Sequence, residues 1–160
     1  MGLERTFIVT GGNTGLGFEC ASALAKDGSA LVIIGCRDAI KGEQAAQKVR
    51  DAKGSAKVLP LDLARQSSIR AFVVAFREAR LPPLAGIVCN AGMQNVATPT
   101  KTEEGYETTF AVNHLGHYLL TRLLLPDLPA AHRSLSYPAA RTTPSRRVEC
   151  PRHGIPPLRR

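Results

Sequence analysis

The segment Thr10-Gly-Gly-Asn-Thr-Gly-Leu-Gly17 decides the fold of this 160-residue chain. It follows a short apolar run, Thr6-Phe-Ile-Val-Thr10, and precedes a helical pattern from Leu16 to Lys26. Because glycine adopts backbone angles that other residues avoid, its glycines predict a tight strand-to-helix turn. The amides that open a helix attract phosphate, so such a turn suits a diphosphate ligand. The alternative is a turn in which the glycines serve packing alone.

Three more apolar runs follow, and helical patterns separate them. The runs cover 30–35, 56–61 and 84–89, and the helical patterns cover 39–53, 67–80 and 103–125. The last helix is predicted to be capped by Thr102 or a neighbour and to end before Pro126. Strands without polar alternation are buried on both faces, so the pattern predicts a parallel sheet with helices on each side. We expect an incomplete Rossmann-type doubly wound α/β fold, its four strands in the order 3-2-1-4.

The composition changes near residue 128. Residues 129–160 contain six of the eleven prolines, seven arginines and a single acidic residue, Glu149. We therefore expect two parts, a nucleotide-binding half-domain at 1–128 and an irregular basic tail at 129–160. Ser145–Cys150 is a weak strand candidate within that tail.

Charge and hydropathy exclude several classes of partner. The tail carries most of the net charge of +8, so the first 128 residues are close to neutral and no nucleic-acid partner is expected. No apolar run reaches the roughly 20 residues of a membrane span, and the first strand begins near Arg5, which leaves no room for a signal peptide. With four scattered cysteines, these features predict a cytoplasmic protein that does not bind membranes.

Five motifs together resemble the short-chain dehydrogenase/reductase family. They are the turn at Thr10–Gly17, Cys36-Arg-Asp38 after the second strand, Leu61-Asp-Leu63 after the third, Asn90-Ala-Gly92 after the fourth, and Val112-Asn-His-Leu-Gly-His-Tyr118 in the long helix. The last motif is most similar to the branch that contains retinol dehydrogenases and protochlorophyllide reductases. The resemblance covers about residues 4–128.

The resemblance implies roles for particular residues. The diphosphate and the adenosine ribose would be lined by the turn residues Gly11, Asn13, Thr14, Gly15, Leu16 and Gly17. Asp62 and Leu63 would lie beside the adenine, and Asn90, Ala91 and Gly92 beside the cofactor ribose. Asn113 resembles the active-site asparagine of the family, which interrupts the helix and supports a water in the proton relay.

Arg37 bears on the choice between NADP and NAD. Sites for NAD usually place an acidic residue at the end of the second strand, where it binds the ribose hydroxyls. Here Arg37 comes first and Asp38 follows it. A guanidinium suits a 2′-phosphate, so we expect NADP to be preferred over NAD.

The catalytic pair that the family implies has no match in this sequence. In the family a tyrosine transfers the proton, and a lysine four residues later lowers the tyrosine pKa, which is otherwise about 10. No lysine follows Lys101, and the nearest imitation is Tyr137-Pro-Ala-Ala-Arg141, where proline opposes a helix. We infer a truncated or altered second half, for which a change of reading frame near residue 129 is one hypothesis.

Two functions therefore stay open. One is family hydride transfer between NADP and a carbonyl or alcohol substrate. The other is a nucleotide-binding pseudoenzyme that holds NADP without turnover. No metal site is expected, because His114 and His117 are three residues apart without a second ligand pair of conventional spacing. A homo-oligomer could form through the long helix at 103–125, and without a fifth strand the fourth would be an exposed apolar edge.

Overall fold

The computed structural model describes residues 2–94, 98–129 and 135–136, the last two only as a strand. Strands and helices alternate through the first 88 residues. The strands are β1 (Arg5–Thr10), β2 (Ala30–Cys36), β3 (Ser55–Pro60), β4 (Leu84–Val88) and β5 (Leu135–Ser136). The helices are α1 (Gly15–Ala25), α2 (Ala39–Asp51), α3 (Gln66–Glu78), a short α4 (Thr108–Phe110) and α5 (Gly116–Leu124). A π-helical turn (Ala111–Leu115) joins α4 to α5, and a 3-10 turn (Leu125–Asp127) follows α5.

The sheet is parallel and doubly wound, as the sequence predicts. Its order is β3-β2-β1-β4-β5, which contains the predicted order 3-2-1-4. All seven residues of β2 are buried, as are four of the six residues of β1, in which Phe7 is partly buried and Arg5 is exposed. Burial on both faces explains why neither strand alternates polar and apolar residues. The expected exposed edge at β4 is wrong over two residues, because Ile87 and Val88 pair with Leu135 and Ser136.

Helices cover both faces of the sheet and make two separate cores. On one face, α3 and α5 place Phe72, Val73 and Leu120 against Ile8 and Ile33 of the sheet. On the other, small residues of α1 and α2 pack against Val9, Val32 and Ile34; they include Ala21, Ala25, Ala45 and Ala46. The small side chains bring these two helices close to the strands, which keeps the glycine turn at the edge of a rigid layer.

The helix predicted at 103–125 begins later and is not continuous. Thr102 does not cap it. The amide of Thr102 donates to the carbonyl of Tyr106 at 2.8 Å, and Gly105 has a φ of 85°, so this segment forms a turn. Glu107 is the N-cap, since its carboxylate accepts from the amides of Thr109 and Phe110 at 2.8 and 2.7 Å. A carboxylate satisfies these free amides and also favours the positive end of the helix.

The predicted tail at 129–160 lies almost entirely outside the described residues. Tyr137, Arg141 and the strand candidate Ser145–Cys150 belong to that undescribed part. In the described ranges, no helix combines the length and the apolar character that crossing a membrane requires.

Candidate functional site

A cleft of about 520 Å³ opens where β1, β2 and β4 end, beside the loop that follows β3. The carboxyl ends of parallel strands meet at one edge of the sheet, which is where ligands bind in doubly wound folds. The predicted residues that line this cleft are Gly11, Asn13, Thr14, Leu16, Gly17, Arg37, Asp62, Leu63, Asn90, Ala91 and Gly92. The sequence therefore brings together residues from four separate segments in one cavity.

The glycine turn bends as its composition predicts. Gly15 has a φ of 54°, and a Cβ at this position would meet nothing within 4 Å. A Cβ on Gly17 would instead lie 2.3 Å from both the carbonyl oxygen of Gly11 and the side-chain nitrogen of Asn90. Within the described part of the chain, the Thr14 side chain makes no hydrogen bond that caps α1. The first amides of α1 are thus available to an anion.

Asn90 and Thr10 tie the glycine turn to the segment that follows β4. The side-chain nitrogen of Asn90 donates to the carbonyl oxygens of Thr10 and Gly11 at 3.1 and 3.4 Å. The backbone amides of Asn90 and Ala91 donate to the Thr10 hydroxyl, both at 2.9 Å. These bonds fix the two sides of the cleft relative to each other.

Arg37 and Asp38 have different roles at the start of α2. Asp38 is the N-cap of α2, since its carboxylate accepts from the amide of Lys41 at 3.0 Å. This hydrogen bond, with the nearby Lys41 ammonium 3.6 Å away, holds the pKa of Asp38 below its ordinary value. Arg37 is exposed at the cleft. Asp38 lines the cleft together with the two cations, Arg37 and Lys41, but its carboxylate is engaged by its own helix.

Asp62 and Leu63 lie on the opposite wall, after β3. The Asp62 carboxylate accepts from the amide of Ala64 at 3.0 Å, and its second oxygen lies 3.8 Å from Arg65 Nε. The amide of Asp62 donates to the Ser68 hydroxyl at 2.9 Å. Leu63 is buried and gives this wall an apolar surface. The wall can offer a flat ring both an apolar face and a carboxylate acceptor.

Asn113 lies in the middle of the π-helical turn, so the helix is interrupted where the resemblance predicted. Its side-chain oxygen accepts from the amide of Met93 at 2.8 Å, and its side-chain nitrogen donates to the Met93 carbonyl at 2.9 Å. This paired contact holds the segment after Gly92 against the turn. Asn113 itself does not line the cleft, but its neighbours Val112 and Met93 do.

His117 is buried at the base of the site. Its Nε2 lies 2.9 Å from the Thr10 hydroxyl, and its Nδ1 lies 3.3 Å from the carbonyl oxygen of Asn113. Burial lowers the pKa of His117, so the neutral ring is favoured. His114 lies elsewhere and stacks on Phe110, with ring centroids 5.3 Å apart. Among the described residues, no three His, Cys, Asp or Glu side chains are grouped so that they could hold a metal.

Sequence reasoning placed some residues well and missed others. Gly15 borders a neighbouring hollow of about 490 Å³ with Lys41 and Lys48, rather than the main cleft. Lys41 was missed, although its position on the first turn after Arg37 was a usable signal. The sequence motif gives His117 no role in the site, because its contact with Thr10, 107 residues earlier, depends on the folded sheet.

The cleft and its motifs agree with the similarities to known proteins. The family model described as short chain dehydrogenase matches residues 5–134. Protochlorophyllide reductase A of Hordeum vulgare is 45% identical over 140 residues, which are 86% of this chain and 35% of that protein. The protein of the same name from Arabidopsis thaliana is 46% identical over 136 residues, 84% of this chain and 32% of that protein. The chain therefore spans about a third of the length of these relatives.

Solved structures give the same result. A metagenomic short-chain oxidoreductase in complex with NADP matches with a TM-score of 0.68 and 28% identity, over 78% of this chain and 57% of that one. The RhlG/NADP active-site complex of Pseudomonas aeruginosa matches with a TM-score of 0.65 and 29% identity, over 78% and 48%. Since the family match covers well over half of the sequence, this chain belongs to the short-chain dehydrogenase family of oxidoreductases.

Proposed function

We propose that this chain binds NADP in the cleft at the ends of β1, β2 and β4, and that it prefers NADP to NAD. The observation that supports the preference for NADP is the arrangement of Arg37, Asp38 and Lys41 at the start of α2. Asp38, the residue that could bind ribose hydroxyls in an NAD site, is held by the Lys41 amide as a helix cap. Arg37 and Lys41 line the cleft beside it, and both cations suit a 2′-phosphate.

The other walls suit the remaining parts of a dinucleotide. The glycine turn offers uncapped amides of α1 for the diphosphate, and no side chain of Gly15 obstructs them. Asp62 would accept a hydrogen bond from the adenine amino group, beside the apolar Leu63. Asn90, Ala91 and Gly92 would lie against the cofactor ribose, with Asn90 held by the glycine turn.

The reaction proposed for the family role is hydride transfer between NADP and a carbonyl or alcohol substrate. When bound, the reduced cofactor would supply a hydride to a carbonyl, and the oxidised cofactor would accept one from an alcohol. This chain's own contribution would be to orient the cofactor and, through the Asn113 carbonyl, to hold a water near the substrate. Which small molecule is the substrate depends on pocket residues beyond those that form the cleft.

A second candidate is binding without turnover, and one sequence fact favours it for this chain. Within these 160 residues no lysine follows Lys101, so this segment contains no Tyr-x-x-x-Lys after Asn113. A tyrosine without a neighbouring cation keeps a pKa of about 10 and is a poor base at neutral pH. A hydride-transfer assay with NADPH and a set of carbonyl compounds separates the candidates. Binding without loss of the NADPH absorbance supports the pseudoenzyme, and turnover supports the enzyme.

Titration of the full chain with NADP and NAD tests the preference itself. Replacing Arg37 with alanine removes charge-assisted hydrogen bonds, each about 1.5–3 kcal/mol, and should weaken NADP binding by about 10- to 100-fold while leaving NAD nearly unchanged. Arg70→Ala is the matched control, an exposed arginine on α3 that is not among the residues lining the cleft. Tighter binding of NAD than of NADP by the unaltered chain would refute the preference.

A Gly15→Val variant tests the location of the site. Valine at a φ of 54° is strained, and its branched side chain would occupy open space beside the first amides of α1, where the diphosphate is proposed to bind. We expect both cofactors to lose affinity together. If a folded Gly15→Val chain bound NADP and NAD as tightly as the unaltered chain, the diphosphate would have to bind elsewhere.

Compartment and assembly are further proposals. A cytoplasmic location stays a prediction, and the names of the barley and Arabidopsis relatives say chloroplastic; a fluorescent fusion of the full chain would decide between them. We also propose self-association through the helix after Glu107, where Phe110 and Tyr118 expose about half of their surface. Sedimentation of the chain and of Tyr118→Glu tests this, since a monomer in both cases would contradict it.

A further inference from the structure

We propose that His117 is a positioning residue, which joins the glycine turn, the Asn90–Gly92 segment and the carbonyl of Asn113 through one directed chain of hydrogen bonds. The inference rests on the proposed function, because the glycine turn and Asn90–Gly92 line the proposed NADP cleft, as does Val112 beside Asn113. The chain of bonds runs through Thr10, whose backbone leads directly into the turn.

The direction of the chain follows from the hydroxyl of Thr10. A hydroxyl has two acceptor lone pairs and one proton. The amides of Asn90 and Ala91 both donate to the Thr10 oxygen at 2.9 Å, which occupies both lone pairs. The Thr10 proton must therefore go to another acceptor. His117 Nε2 at 2.9 Å is closer than the Val88 carbonyl at 3.3 Å.

This assignment fixes the state of the imidazole ring. If Nε2 carried a proton, three donors would point at the single oxygen of Thr10. His117 Nε2 is thus the acceptor, and in a neutral ring the proton lies on Nδ1. Nδ1–H then donates to the Asn113 carbonyl oxygen, 3.3 Å away. Burial, which disfavours the charged ring, points the same way.

One side chain therefore positions the glycine turn, the Asn90–Gly92 segment and the Asn113 carbonyl relative to one another. The ring spans from the end of β1 to the π-helical turn, and the Asn113 carbonyl gives one of its two lone pairs to Nδ1–H. The second lone pair keeps a fixed direction for another donor. Residues that contact the cofactor cleft are thereby positioned by a group that does not itself line it.

Nuclear magnetic resonance of the full chain labelled with nitrogen-15 tests the assignment without any variant. The expected spectrum at neutral pH is that of a neutral imidazole with its proton on Nδ1. A ring that carries its proton on Nε2, or on both nitrogens, would overturn the proposal. This readout does not depend on NADP. It therefore tests the series of hydrogen bonds even if the protein fails to bind NADP and the proposed function is wrong.

Two substitutions of His117 by amide residues then separate its hydrogen bond to Thr10 from its hydrogen bond to Asn113. Glutamine can place its side-chain oxygen near the position of Nε2 and accept from Thr10, whereas asparagine is too short to reach it. We expect His117→Gln to bind NADP within about 3-fold of the unaltered protein. His117→Asn should bind on the order of 10-fold more weakly, because the buried Thr10 hydroxyl proton loses its nearer acceptor and is left with the Val88 carbonyl 3.3 Å away.

Leu120→Val is the matched control, since Leu120 is fully buried on the same helix but takes no part in the hydrogen bonds. It should lose core packing and still bind NADP within about 2-fold of the unaltered chain. Equal losses of affinity in His117→Gln, His117→Asn and Leu120→Val would mean that His117 serves packing only. If the variants do not fold, the spectrum of the unaltered ring still gives the answer.

Discussion

Replacing Gly17 with alanine should damage both stability and cofactor binding, whereas the same change at Gly15 should be mild. A Cβ on Gly17 would lie 2.3 Å from the Gly11 carbonyl oxygen and 2.9 Å from its carbonyl carbon, which are backbone atoms that cannot rotate away. It would also lie 2.3 Å from the side-chain nitrogen of Asn90. The backbone must shift to relieve the clash with Gly11, and Asn90 must also move away from its two acceptors.

The magnitude follows from these contacts. Overpacking of a tight site costs about 1–3 kcal/mol. Loss of the hydrogen bonds from Asn90 to Thr10 and Gly11 adds about 0.5–1.5 kcal/mol for each bond that breaks. With both bonds broken, we therefore expect Gly17→Ala to lower the free energy of unfolding by about 2–6 kcal/mol. At Gly15 a Cβ meets no atom, and its cost is the left-handed backbone, about 1–2 kcal/mol, partly offset by a stiffer unfolded chain.

Urea unfolding of the two variants, followed by circular dichroism, measures the difference. NADP titration under native conditions should show a larger loss for Gly17→Ala, because Asn90 moves with the turn. A Gly17→Ala chain that unfolds within about 0.5 kcal/mol of the unaltered chain would refute the reasoning, since normal errors of extrapolation are of that size. A greater loss at Gly15 than at Gly17 would refute it as well.

Three further predictions concern residues outside the cleft. The pKa of Glu107 is lowered, chiefly by the amide of Phe110, so the stability from this cap is present above the unfolded pKa and should be lost as pH falls through the lowered pKa. Acid unfolding of Glu107→Gln should lack that loss of stability when it is compared with the unaltered chain. Arg77 on α3 donates to Asp127 at 2.8 Å beyond α5, but both side chains are partly exposed, so Arg77→Ala should cost no more than about 1 kcal/mol in urea unfolding, and the control Arg70→Ala less. Burial raises the pKa of Cys89 to about 11, so alkylation of this thiol at neutral pH, measured by mass spectrometry, should proceed only at the rate of unfolding. Fast alkylation of the folded chain would contradict this prediction.

Much of the fold could be predicted because each element has a local signal. β1 and β2 are apolar runs buried on both faces, which leaves only a parallel sheet with helices on each side. The predicted burial is wrong for β3, which lies at the edge of the sheet and exposes Lys57. The start of the long helix was wrong for a local reason too. Thr102 is a typical cap residue, but the turn that contains Gly105 intervenes, and the carboxylate of Glu107 takes the role.

The parts of the site that sequence reasoning missed depend on distant partners. The interruption at Asn113 came from resemblance, because no local rule predicts a π-helical turn. Its surroundings include Gly116, where a Cβ would lie 2.4 Å from the Leu63 carbonyl oxygen, a contact across 53 positions of the chain. The link from His117 to Thr10 is of the same kind. Such contacts arise only when the sheet brings the segments together.

The wide turn at Ala111–Leu115 sets the rotational phase of the helix on either side of it. An α-helix advances by about 100° per residue, so one residue more or less in that turn would swing Asn113 roughly a quarter of a circle while Leu120 and Leu124 stayed buried in the core. A deletion of a single residue there would leave the hydrophobic layer intact and still uncouple Asn113 from Met93. Folding and site geometry can therefore be altered independently at this position, by changing length alone.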